Sequence, residues 1–308
     1  MLRKTAPMLF SFSMAFWANA SLVHKKGSNL KMARNNSQSS AFMSQPLVRY
    51  QSEYNMVWNR YYDDYSPFHL IGTQHGKVVG GYETRPGYKV FGIQIGANRT
   101  DVEKKYGSPL TAIHRHRTSY LLTYHDPSGS PTHGTYLIDQ HYVTFFYDLH
   151  KSDLVRSVTW VSTATEMTKP GYYNSPSEIL RTGFEDLMVE LINHDRVCEG
   201  LQPLIYARKY KRIARQHSSN MITHDFFSHK DHLGNHSNDR LAAGEVNFYW
   251  YGENIAYGQF NSIFAHEALM NSTGHRRNIL RKEFTHVFVG VSFKDNGAPY
   301  YTINFYSE

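Results

Sequence analysis

The hydrophobic period changes once along this chain, and that change does most to limit how the chain can fold. Up to about residue 165 the apolar side chains fall in short runs rich in Tyr, Thr, Val and Phe. Tyr88-Lys89-Val90-Phe91-Gly92-Ile93-Gln94-Ile95 and Tyr142-Val143-Thr144-Phe145-Phe146-Tyr147 are examples, and both read as strands. Beyond residue 177 the apolar positions recur every three or four residues. Phe184, Leu187, Met188, Leu191 and Ile192 run up to Gly200, and Tyr206, Tyr210, Ile213, Ala214, His217 and Met221 follow. Each set is the stripe of a helix buried on one side. Between the two regimes lies Lys169-Pro170-Gly171-Tyr172-Tyr173-Asn174-Ser175-Pro176, punctuated and without period. A chain of 308 residues exceeds the ~250–300 that one core serves, so two domains with separate cores are expected, divided there.

The first half reads as α+β with strands dominant. Asn98 to Gly107 has a helix's polar start and glycine stop. The half also repeats itself: Pro46-Leu47 lies fifteen residues before Tyr61, as Pro109-Leu110 lies before Tyr124. The second unit opens with Gly92-Ile93-Gln94-Ile95-Gly96 and the short helix, which residues 28–45 do not match. The first repeat is thus read as truncated at its front. In the second half a third helix covers about Ser262 to Asn271 and a short one starts near Gly274. Two strands end the chain, joined at Asp295-Asn296-Gly297, a hairpin signal. Helices on a small antiparallel sheet make this half α+β as well.

Charge is concentrated at the N-terminus. The net charge is +7 with a pI near 9.2, but residues 1–48 hold six basic side chains and no acid. Residues 49–308 hold 27 basic and 26 acidic groups, a net +1. The folded part therefore gives no argument for nucleic acid as a partner. Arg3 and Lys4 precede an apolar stretch, Met8 to Trp17, that ends at Ala18-Asn19-Ala20, the form of a cleavable secretory signal. That stretch is too short for a bilayer span of ~20 residues. The expected layout is a possible signal peptide over 1–20, a disordered basic linker over 21–45 with weak membrane or wall contact, an α+β domain over 46–165, a linker over 166–177 and a second domain over 178–308.

Polar residues with chemical potential gather in three places: Phe226-Phe227-Ser228-His229, Gly252-Glu253-Asn254-Ile255-Ala256, and Ser272-Thr273-Gly274-His275-Arg276-Arg277-Asn278-Ile279-Leu280. Several chemistries are excluded. His266-Glu267 opens like a zinc protease helix, but Met270 stands where the second histidine would be. There is no G-x-S-x-G elbow and no phosphate-binding loop. The one cysteine, Cys198, allows no intramolecular disulfide, and it reads as a buried inert thiol. His229, Glu253 and His275 match the donor inventory of an open zinc site, two imidazoles and a carboxylate at ~2.0–2.2 Å. They equally match a buried hydrogen-bond network that fixes the domain. His232 and His236, in a polar loop, read as solvated.

The same clusters, in this order, resemble the CAP superfamily (cysteine-rich secretory, antigen 5 and pathogenesis-related proteins), in its cysteine-poor bacterial branch. Asn193-His194-Asp195-Arg196 with Gly200-Leu201-Gln202-Pro203-Leu204, Ile213-Ala214-Arg215-Gln216-His217-Ser218 and the final strand pair complete the resemblance, which covers about residues 178–308. Residues from about Pro46 to Ser162 resemble the α+β domain that accompanies CAP domains in some spore-forming Gram-positive bacteria. The resemblance implies an α-β-α sandwich with a polar cavity whose His and Glu residues bind zinc or another divalent cation in some members. By motif, His229, Glu253 and His275 take cavity positions, Asn254 stands beside them, and Glu267 is the nearest acid for a fourth. Leu269 departs from the tryptophan usual there.

These features point to a secreted, cell-envelope or spore-associated protein that binds a small ligand or an envelope component without catalysis of its own. The alternative is a peptidase-like hydrolase in which a cation at His229 and His275 activates water and Glu253 is the base.

Overall fold

The computed structural model describes residues 45–308 except 67 and 127; the signal-like segment, the basic linker up to residue 44 and the missing front of the first repeat lie outside the described residues. The N-terminal half runs β1 (Val48–Gln51), β2 (Val57–Arg60), β3 (His69–Gln74), β4 (Lys77–Glu83), the short pair β5 (Lys89–Val90) and β6 (Ile93–Gln94), and α1 (Arg99–Tyr106). It continues through β7 (Ala112–Arg115), β8 (Thr118–Leu121), β9 (His133–Ile138), β10 (His141–Asp148), β11 (Leu154–Ser162) and α2 (Thr163–Glu166). Seven strands form one antiparallel sheet in the order β1-β2-β3-β4-β11-β10-β9. The order is symmetric about its centre: the β3–β4 hairpin meets the β10–β11 hairpin, with β2 and β9 outside them. Leu47 N donates to Arg60 O and Leu110 N to Thr135 O, each at 2.8 Å. The two Pro-Leu marks of the sequence repeat thus occupy matching places beside β2 and β9.

Alternation along β10 explains how the halves join. Val143, Phe145 and Tyr147 pack with Val90, Ile93 and Val102 beneath α1. Tyr142 and Phe146 point the other way, into a cluster with Leu187, Leu191, Phe260 and Phe264 of the second half. With a period of two, a strand covered on both faces becomes apolar throughout. Each half keeps a core of its own, as expected, but this further cluster is common to both, so the two are not fully separate.

The second half runs α3 (Glu178–Cys198), β12 (Ile205–Tyr206), α4 (Lys211–Thr223), α5 (Ser237–Ala243), β13 (Trp250–Tyr257), α6 (Ser262–Asn271), α7 (Thr273–Ile279), β14 (His286–Phe293) and β15 (Pro299–Ser307). Its sheet has the order β12-β14-β15-β13. Val287, Val289, Val291, Tyr301, Ile303 and Phe305 face α3 and α6. Phe288 and Tyr306 face the other layer with Ala214 and Leu241. The result is an α-β-α sandwich. Helix α4 lies so close to β14 that a Cβ on Gly290 would stand 2.0 Å from Arg215 N.

Three sequence readings are corrected. The run from Tyr88 to Ile95 is two strands, not one, because Phe91 and Gly92 both take positive φ, 47° and 72°. Tyr206 belongs to a strand and Tyr210 to a 3-10 turn (Arg208–Tyr210), so the helix begins only at Lys211. Cys198 is exposed rather than buried, at the end of α3, where α3's apolar stripe has run out.

Candidate functional site

Strand alternation selects which residues of β13 can meet the others. Glu253 lies opposite Asn304 in the register with β15, and both side chains face the α4–α5 layer. Asn254 points the opposite way. Its Nδ2 donates to the His275 carbonyl at 3.0 Å and its Oδ1 accepts from Asn278 Nδ2 at 2.9 Å, which ties α7 to the strand.

The Glu253 carboxylate is the hub. Oε1 accepts from His229 Nδ1 at 3.0 Å, while Oε2 accepts from Arg240 Nη2 at 2.7 Å and from Asn304 Nδ2 at 2.9 Å. Asn304 Nδ2 also reaches Ser237 Oγ at 2.9 Å. His217 of α4 stands behind, with Nε2 at 4.0 Å from Oε1 and donating to Ser228 O at 2.9 Å. Burial pushes the Glu253 carboxyl up, but the hydrogen bond from His229 and the charge of Arg240 outweigh it and hold the group below the usual glutamate range. Burial pulls the His217 imidazole down, with Glu253 opposing.

Of the expected residues, His229 and Glu253 are thus brought into contact. His275 lies beside them, close enough that the charge of His229 adds to burial in lowering its imidazole pKa. Its Nδ1 bonds Ser272 Oγ at 2.9 Å, so the Ser272 side chain holds the ring and makes no capping bond to the backbone of α7. His232 and His236 are exposed. Glu267 is not in the cleft. Tyr82 Oη donates to its Oε1 at 2.9 Å, Ser157 Oγ also donates to it, and Arg156 Nε lies 2.7 Å from Oε2. It is a buried charge between the halves, because α6 turns this face toward the first sheet.

Sequence reasoning missed three partners of Glu253. Asn304 carried a usable signal: it shares a strand face with Thr302 in an otherwise apolar run. His217 was absorbed into a helix stripe and Arg240 lay in an unremarkable polar stretch that folds as α5; only the fold brings them close.

A cleft of about 440 Å³ opens over this hub, lined by His229, His236, Ser237, Asn238, Tyr251 and Glu253. Among the described residues no three His, Cys, Asp or Glu side chains converge as a metal site would require. Both Glu253 oxygens are already bonded, one of them to a guanidinium, and His275 Nδ1 is taken by Ser272. The imidazoles of His229 and His275 use Nδ1 in these bonds, which leaves Nε2 of each ring, so the set as arranged offers two nitrogen donors and no free carboxylate oxygen.

The cysteine-rich secretory protein family profile matches residues 189–305, and that of a CAP-associated N-terminal domain matches residues 33–172. The chain is 28% identical over 268 residues to the "Uncharacterized membrane protein YlbC" of Bacillus subtilis strain 168, covering 82% of this chain and 76% of that protein. It is 34% identical over 125 residues to the "Uncharacterized protein YkwD" of the same strain, covering 41% of this chain and 47% of that one. Among solved structures, an extracellular SCP-domain protein of Bacillus anthracis strain Ames superposes with a TM-score of 0.72 at 24% identity, covering 91% of this chain and all of that one. A cysteine-rich secretory protein of Staphylococcus aureus Mu50 gives 0.63 at 15% identity, covering 86% and 87%. Sandwich, motifs and profiles agree: the chain belongs to the CAP superfamily, with a cysteine-rich secretory protein domain carried behind a CAP-associated N-terminal domain.

Proposed function

We propose that this protein works outside the cytoplasm, at the cell envelope, as a binding module whose cleft over Glu253 takes a small polar ligand or an envelope component. The observation that carries the reading is the saturation of Glu253: His229, Arg240 and Asn304 occupy both oxygens. A general base works best with a pKa near the working pH, whereas this carboxyl is held low. What it offers instead is a fixed anion that orients the half-exposed His229 ring toward solvent. The envelope location rests on the signal-like segment ending at Ala18-Asn19-Ala20 and on the B. subtilis relative described as a membrane protein. Among the described residues no helix is long and apolar enough to cross a membrane.

Three measurements on the full chain test this. N-terminal sequencing of protein made in a Gram-positive host is expected to start at Ser21; an uncleaved cytoplasmic product contradicts the location. Co-sedimentation with purified cell walls is expected to fall at least tenfold in His229→Ala. Incubation with a peptide library is expected to give no turnover with or without zinc. Zinc-dependent cleavage lost in both His229→Ala and His275→Ala would establish the hydrolase instead.

A further inference from the structure

A second cavity, of about 610 Å³, lies where the two halves meet, away from the Glu253 cleft. Its first-half wall includes Thr132 and Phe146, and its second-half wall Gln259, Phe264 and Thr273. Neither half alone encloses it.

Phe146 and Phe264 sit edge to face, with centroids 4.8 Å apart, and give the cavity an apolar aromatic wall. The rest of the lining supplies hydroxyls from Thr123, Thr132, Ser272 and Thr273 and amides from Gln259 and Asn271, beside ionisable His and acidic groups. Gln259 Oε1 is buried and has no hydrogen-bond partner among the described residues. A buried acceptor left without a donor costs about 1–3 kcal/mol, which a ligand N–H or O–H placed there would recover.

Two of the ionisable groups in the lining carry no free charge. Glu267 is paired with Arg156 at 2.7 Å. Burial and the neighbouring His125 hold His133 neutral, its pKa down at about 3. Asp126 is different: hydrogen bonds from Ser128, and from Ser130 N at 2.8 Å, hold its carboxyl below the usual range, so it stays an anion and turns other anions away.

From the aromatic wall, the hydroxyls of the lining, the unpartnered Gln259 acceptor and an Asp126 carboxylate that excludes anions, we infer that this interdomain cavity binds a small uncharged polyhydroxylated molecule, such as an amide-bearing monosaccharide or disaccharide. Its volume falls within the ~300–1,000 Å³ of ligand pockets. The apolar face of a sugar ring lies against the phenylalanines, its hydroxyls meet the threonines, and an amide N–H fills Gln259 Oε1. The site is independent of the Glu253 cleft, so it stands whether or not that cleft binds cell walls.

The test is titration of the full chain with N-acetylglucosamine and, separately, with glucose and citrate, followed by calorimetry and ligand-detected NMR. Saturable millimolar binding of N-acetylglucosamine, tighter than glucose and absent for citrate, is expected. Binding is expected to weaken at least tenfold in Gln259→Ala, which removes a group without a partner and leaves the fold intact, and in the cavity-filling Ala268→Phe. His229→Ala is expected to bind like the parent chain. No saccharide binding by the parent chain, or binding unchanged in Gln259→Ala, would overturn the inference.

Discussion

Exchanging Glu253 for Gln keeps the side chain's shape and removes one charge, which isolates what that charge does. Arg240 would then stand at a buried site facing a neutral amide, although it keeps the carbonyls of His229 and Asn235 at 3.1 and 2.9 Å. Breaking a buried ion pair costs up to ~3–5 kcal/mol; with those two carbonyls retained, a loss of about 3 kcal/mol is expected, read as a lower urea midpoint at unchanged slope. The pH dependence has a definite sign. The folded pKa of Glu253 is depressed, so its stabilisation is complete above the unfolded value near 4.3 and disappears as pH falls through the folded value. The gap between parent and Glu253→Gln should therefore shrink between pH 5 and pH 3, and a gap that widened on acidification would show that the carboxyl is not ionised. At this scale His229, Glu253 and His275 were legible because short motifs mark them. Arg240 was not, since nothing local distinguishes a guanidinium that will be buried from one that will be solvated.

Elements were read well where period and punctuation agreed. The third helix was expected over Ser262 to Asn271 and is found there, begun by Asn261, whose side chain accepts from Phe264 N. The reading failed where one backbone conformation overrode composition, as at Phe91 and Gly92. The approach of α4 to β14 was invisible for another reason: Gly290 sits inside an apolar strand where a glycine only weakens the propensity. Its use is to let Ser218 Oγ of α4 reach the Gly290 carbonyl at 2.9 Å and Thr302 Oγ1 at 2.8 Å. Gly290→Ala would put a methyl group into the α4 backbone. A destabilisation of about 3 kcal/mol or more is expected from such overpacking, measured by urea unfolding. Gly274→Ala serves as the control, with no atom within 4 Å of the added methyl, and should change stability by under ~1 kcal/mol.

The union of the halves was the least legible part of the molecule, because each contributing residue looks ordinary in its own segment. Arg156 is one charged residue in an otherwise apolar and hydroxylic strand, yet its guanidinium lies against Asp195 at 2.6 Å and Glu267 at 2.7 Å. Arg276 reaches Asp148 at 3.1 Å across the same junction. With an apolar cluster and a charge network both shared, one cooperative unfolding transition is expected for residues 45–308. The junction also titrates in two opposed ways. Burial pulls His133 and His266 down to about 3, so below pH 6.5 the unfolded state binds protons that the folded state refuses, and stability falls with pH. Burial pushes Glu53 and Glu166 up to about 7, so between about 4.5 and 7 the folded state binds protons that the unfolded state has released, and stability rises as pH falls. These two pairs act in opposite directions, so between about pH 4.5 and 6.5 their effects nearly cancel, and only below that does the imidazole pair dominate. Replacing both Glu53 and Glu166 by Gln removes the offset. The double variant is expected to lose stability from pH 6.5 downward, with a slope that approaches about 1.4 kcal/mol per pH unit for each of the two imidazoles. The parent chain, in which the two carboxyls offset that loss, should fall less steeply over the same window. Urea midpoints for both proteins at pH 7, 6, 5 and 4 decide it: parallel curves would mean that these carboxyls do not hold their protons in the folded state.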